Sequence, residues 1–171
     1  MTRQTTKVFG IDTIDDYLAF CKQAVGQLEQ DQDDVLHAFA AILALNHIPD
    51  WLQYKLTNVQ RAALGLVGLQ FGESVKEFFE GQNNDLERVR EISNGFKHLR
   101  LTRSTEHVTG FGRGPYGVGP YGVSYLLIDL GDHLPPADRW DVALSLCKRV
   151  LEWWQKQLSC LVQTTGGNHY V

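Results

Sequence analysis

The sequence predicts an all-α protein, a bundle of four or five main helices with one β-hairpin inserted before a long C-terminal helix. Three observations carry that prediction. Apolar residues recur at three- and four-residue steps through most of the chain, the period of a helix with one buried face. Between about residues 99 and 131 the period shortens to two, as in strands. From about Ala137 to Val162 apolar side chains then fall on two sides of one helical stretch, which requires a central helix or one covered by a partner.

The chain is long enough for a core of its own. Its 171 residues, 43% of them apolar and 21% charged, fit a single domain spanning 1–171 without metal or disulfide staples. Four Trp, six Tyr and eight Phe exclude a disordered tail as its main character. Sixteen basic against twenty acidic residues give a net charge of −4. That excludes a wholly basic nucleic-acid binder and leaves room for a local basic strip. Cys21, Cys147 and Cys160 are odd in number and have no paired spacing, which fits a reducing compartment rather than a disulfide framework or a zinc site. The first ten residues lack the apolar centre of a signal peptide. The apolar run Ala62–Leu69 is far short of the roughly twenty residues of a spanning helix. A cytoplasmic, soluble protein with no membrane partner is expected.

Thr13 caps the first helix, with Asp15 and Asp16 in the first turn where the helix dipole favours negative charge. Ile14, Tyr17, Leu18, Cys21, Val25 and Leu28 form its apolar stripe, which ends in the polar run Glu29–Asp34. A second helix starts near Asp33 or Asp34 and stops or kinks near His47, because Pro49 cannot donate inside a helix. It resumes as Asp50–Leu56. A third helix is expected over Val59–Leu69, with Gly65 and Gly68 at a close helix crossing, followed by a short piece at Glu73–Phe79. Asn84 or Asp85 caps the next helix, which runs to about His98 and buries Leu86, Val89, Ile92, Ser93 and Phe96. The hairpin arms are Leu99–Arg103 and Tyr125–Leu130, joined by a Gly-rich tip at Gly110–Gly122. In the last helix Trp153 falls outside the main stripe and is expected at an interface, so a homodimer through this helix is predicted. A frayed tail follows from about residue 164.

The strongest polar group lies on the helix before the hairpin. Arg90, Asn94 and His98 are spaced by four and form one ladder beside the apolar face. From Arg88 to Arg103 five basic residues (Arg88, Arg90, Lys97, Arg100, Arg103) face one acidic residue, Glu91, a local +4 able to hold phosphates. In such a groove His98 would move a proton and Arg90 would hold a phosphate oxygen. Asn94 would position the substrate, while Arg88, Lys97 and Arg100 would contact its backbone. The alternative is structural, with Asn94 and His98 satisfied locally and the arginines solvated. A second cluster, Asn46, His47 and Asp50, flanks the Pro49 kink and can point to the same groove. There Asp50 either orients a histidine, accepts from Arg90, or caps the helix that starts at Trp51. His37, His47, Asp50 and His98 lack a metal-ligand pattern, so neither metal nor cofactor is expected.

The helix Arg90–His98 resembles the R-x(4–6)-H element of the HEPN superfamily, small helical bundles that often dimerise and include metal-independent ribonucleases and toxins. Ile92-Ser-Asn-Gly-Phe-Lys-His98 and His47-Ile-Pro-Asp50-Trp51 also resemble the "aNxxKH" and "h..DW" phrases of bacterial and phage-associated proteins of unassigned function. Those proteins carry a Gly-aromatic segment and a Trp-rich last helix too, and the resemblance spreads over about Phe39 to Trp154. It implies that His98 and Arg90 match the family's histidine and arginine. Seven residues separate the two here, and Glu91 follows the arginine, which departs from the pattern.

The Gly-rich tip contains G-x-G-x-x-G twice, Gly112–Gly117 and Gly117–Gly122, because Gly-Pro-Tyr-Gly-Val occurs in tandem. A dinucleotide fingerprint must follow a strand and open a helix, and neither match does. Two turns forming a wide tip are the expected outcome. Two functional readings follow: an RNA-binding or RNA-cleaving, HEPN-like protein, or a non-catalytic homodimeric interaction or regulatory protein.

Overall fold

The computed structural model describes residues 10–69, 73–98, 105–108, 117–120, 122–136 and 138–165. Its elements are α1 (Ile14–Gln30), α2 (Val35–Asn46), α3 (Ile48–Lys55), α4 (Asn58–Ala63), α5 (Glu73–Glu80), α6 (Asn84–His98), β1 (Thr105–Val108), β2 (Tyr125–Asp129), β3 (Trp140–Val142) and α7 (Ala143–Thr165). The all-α bundle with a β insertion before the last helix is therefore the architecture of the chain. Its helix starts are local chemistry. Thr13 and Asp16 form a reciprocal capping box on α1. The Asp34 carboxylate accepts from the His37 backbone N–H at the start of α2.

Three expectations change. The helix expected at Val59–Leu69 ends at Ala63, because Gly65 and Gly68 take positive φ (74° and 82°) and turn the chain rather than marking a helix crossing. The last helix begins at Ala143, not Ala137, because Trp140–Val142 pairs with β2 as a third strand. The first arm is Thr105–Val108; Leu99–Arg103, where it was expected, lies outside the described residues. The sheet is thus an antiparallel meander, β1-β2-β3, with Val108 opposite Tyr125 and Leu127 opposite Val142. Tyr125 to Ile128 are all buried, so the central strand is an apolar run rather than an alternation. Of the Gly-rich tip, Gly117–Pro120 and Gly122 are described. The Tyr125 hydroxyl donates to the Val118 carbonyl at 2.8 Å, and a Cβ at Gly119, whose φ is 79°, would run into the Tyr125 ring. Only glycine admits that approach.

α7 is the axis of the core. It packs on α1, α2, α4, α6 and the sheet, and Trp154, wholly buried, meets Phe79 of α5 edge-on at 4.8 Å. Trp153, expected on the outer side, lies edge-on to Phe79 at 6.0 Å and to Trp154 at 4.8 Å. Leu146 is wholly buried and Val142 belongs to β3. The second apolar side of α7 is thereby filled from within the chain. The stretch Val35–Lys55 is long and apolar enough to pass for a membrane span. It is two helices broken at His47, and Ala41, Ile42, Leu45, Ile48 and Leu52 are all buried in the core.

One ion network ties α6, β3 and α7. Arg149 reaches Asp85 at 2.8 Å and Asp141 at 2.6 Å, while Arg88 holds Asp85 at 2.8 Å. Burial by itself would raise the Asp85 carboxyl, but hydrogen bonds and charge from Arg149 and then Arg88 outweigh it and hold the group below the usual carboxylate range. A depressed folded value adds stability above the unfolded carboxylate value of about 4 and loses it as pH falls through the folded value. Asp85→Asn should therefore cost about 1–2 kcal/mol at neutral pH. It should also shrink the fall in urea midpoint between neutral and acid buffer, measured by circular dichroism; an unchanged midpoint at neutral pH would contradict this.

Candidate functional site at the break between α2 and α3

His47 stands between the two helices as the cap of both, with φ −94° and ψ 0°. Pro49 sits in the first turn of α3, where its missing N–H costs nothing. The break brings His47 and Asp50 together locally: His47 Nδ1 lies 2.7 Å from Asp50 Oδ2, with the imidazole 48% and the carboxylate 34% exposed. The other oxygen, Asp50 Oδ1, pairs with Lys76 Nζ of α5 at 3.2 Å. A carboxylate that holds Nδ1 fixes the ring and presents Nε2 for proton transfer.

The break faces α6. The Asn46 side-chain amide donates to the Ser93 hydroxyl at 3.1 Å, which sets the end of α2 against the middle of α6, one residue from Asn94. Asn94 is exposed. His98 ends α6; its side chain and that of Lys97, with the whole of Arg100, lie outside the described residues.

Arg90 of the expected ladder and Arg88 of the basic strip are both engaged. Arg90 Nε lies 2.8 Å from Glu80 Oε1 of α5, an ion pair by distance though not an aligned hydrogen bond. Arg88 is held by Asp85. Of the alternatives for Asp50, orienting a histidine is what the geometry shows, and its other partner is Lys76 rather than Arg90. It lies in the first turn of α3, which starts at Ile48 rather than at Trp51. Lys76 and Glu80, one turn apart on α5, were missed by sequence reading. Their spacing is that of an ordinary solvated i,i+4 pair, and their partners are 26 and 10 residues away in the chain.

Two hollows adjoin this seam. Asn46, Pro49, Lys76, Phe79, Glu80 and Trp154 help line a crevice of about 10 Å³, the size of a single water. This crevice is too small for a nucleotide. On the outer surface Asp50, Trp51, Tyr54 and Lys55 line a hollow of about 210 Å³. Trp51 stacks on Tyr17 at 4.6 Å, and Lys55 Nζ lies 5.7 Å from the Trp51 ring centroid and 3.1 Å from Asp12. Tyr17 in turn donates its hydroxyl to the Ala44 carbonyl at 2.9 Å, and burial pushes its phenol well above the usual value.

A third cluster, also missed, lies at the turn between α1 and α2, where donor atoms of Asp31, Asp34 and His37 come within 4.8 Å of one another. By donor type these residues suit a divalent cation. One Asp34 oxygen already serves as the cap of α2. Compared with known proteins, the chain matches no family model, no curated protein and no solved structure.

The Asn46–Ser93 bond registers the break against α6, and Ser93 is 2% exposed. Asn46→Ala leaves that hydroxyl without its partner and should cost about 1–2 kcal/mol, read as a lower urea midpoint at unchanged slope. Equal midpoints would show that the bond does not hold the seam.

Proposed function

We propose that the break between α2 and α3, with the C-terminal half of α6, is a metal-independent site acting on the RNA backbone, in keeping with the HEPN-like resemblance. The observation that carries this reading is the 2.7 Å contact between an accessible His47 and Asp50, the geometry of a base held by its orienting carboxylate. In transphosphorylation the ribose 2′-oxygen attacks phosphorus and the bond to the 5′-oxygen breaks, leaving a 2′,3′-cyclic phosphate and a 5′-hydroxyl. One group takes the 2′ proton and another gives a proton to the leaving oxygen. His47, oriented by Asp50, takes one of these roles and His98 the other; Asn94, Lys97 and Arg100 contact the backbone. Lys76 pairs with the other Asp50 oxygen, on the side away from the imidazole contact.

Cleavage of a mixed RNA pool in EDTA tests this, with wild type, His47→Ala and His98→Ala each checked for folding. The wild type should cleave to cyclic phosphate ends, and His47→Ala should lose about 10²–10⁴-fold. No cleavage, or equal cleavage by all three, overturns the catalytic reading.

A second reading has one specific observation in its favour: Arg88 and Arg90 are already paired with Asp85 and Glu80. On that reading α6 is structural and the chain is a non-catalytic, homodimeric interaction or regulatory protein. It gives no cleavage and a dimer mass in light scattering.

A further inference from the structure

The hollow on the outer face of α3 shares Asp50 with the His47 pair. We propose that it is a base subsite, taking one unpaired nucleobase of a single-stranded RNA whose phosphate lies at His47; this rests on the RNA-backbone reading above. The hollow is about 210 Å³, below the range of drug-sized pockets, and so suits a single planar ring system. Its walls are mostly apolar, from Trp51 and Tyr54, with one acidic and one basic group at the rim. Tyr54 is 77% exposed and lies on the same helix face as Asp50, four residues on. An aromatic ring this open on a short helix contributes little to the core. Stacking on a base would give it a role, since every base has a π-face.

Trp51 plays a different part. One of its faces rests on Tyr17 and Lys55 lies over the ring, so it forms a fixed wall and Tyr54 is the stacking platform. Lys55, held by Asp12, puts a positive charge at the edge of the hollow, where the RNA backbone enters or leaves. Asp50 then joins the two functions. It orients the imidazole that works on the phosphate, and it borders the place where the attached base sits. The occupant is a base rather than a cationic ligand, because the only carboxylate among the described lining residues is already paired with Lys76 and His47.

The test uses the full chain with two fluorescent ten-mers, oligouridine and an abasic phosphodiester of the same length. Wild type should bind the oligouridine more tightly. Tyr54→Ala should weaken that binding about tenfold, leave abasic binding unchanged, and raise KM for cleavage with kcat retained. Tyr54→Phe should bind like wild type. Equal binding of both ten-mers by wild type, or unchanged oligouridine binding by Tyr54→Ala, overturns the subsite. The two proposals fail separately. Cleavage lost in His47→Ala with Tyr54→Ala unaffected removes the base subsite alone. Base-dependent binding without cleavage by wild type removes the catalytic reading and keeps the subsite.

Discussion

The burial of Trp154 fixes the position of every element that reaches the candidate site. It is wholly buried at the centre of α7, which removes on the order of 200 Å² of side chain from water, and it meets Phe79 of α5. Lys76, Phe79 and Glu80 lie on one side of α5. Once the Phe79 ring is anchored under α7, Lys76 and Glu80 stand at the rim of the core, between α3 and α6. One then reaches Asp50 and the other Arg90. The ion pairs that organise the seam are consequences of an apolar contact, and they would not form if α5 lay elsewhere.

The second constraint is the interruption at His47. A single helix through Val35–Lys55 would place His47 and Asp50 on one side of a continuous rod. The turn at His47 and the proline at the start of α3 interrupt the helix, so that residue 47 is the boundary residue of both helices and its imidazole stays half exposed. The pair itself is local, three residues apart, and its chemistry belongs to the short segment His47–Asp50. Its relation to α6 is not local. That depends on Asn46 and Ser93 meeting across the bundle.

This division between local and distant causes explains what could be read from the sequence. The starts of α1 and α2, and the stop at His47, follow from caps and a proline, whose effects extend over a few residues; α6 begins at Asn84, with Asn83 rather than Asn84 or Asp85 accepting from the Asp85 backbone N–H. The apolar faces of α1 and α6 were legible for the same reason. β3 was not, because Trp140 falls on the helical stripe of Leu144 and Cys147, and only pairing with β2 makes Trp140–Val142 extended. α4 was overextended because Val59–Leu69 is apolar at helical steps while Gly65 and Gly68 adopt a left-handed backbone, a choice that the step pattern does not register. At the site, the residue types on α6 and at the break could be named in advance. The Arg90–Glu80 and Asp50–Lys76 pairs could not, since each joins two helices and is set by packing.

Charge counted along the chain shows why this matters for function. The interval Arg88–Arg103 carries a net +4 in the sequence, yet its first two cations face Asp85 and Glu80 in space. The N-terminal half of α6 is committed to holding α5 and α7, and any attraction for a phosphate must come from beyond Arg90. Asn94 is exposed just there, beside the Ser93 that Asn46 touches. On the proposed reading the chemistry lies in the C-terminal half of α6, which the Asn46–Ser93 bond ties to the end of α2 beside the His47–Asp50 pair. On that same proposal the substrate is extended and lies on the surface, because the crevice within the seam admits only water. Single-stranded RNA has that shape, with a charged backbone on one side and stackable bases on the other.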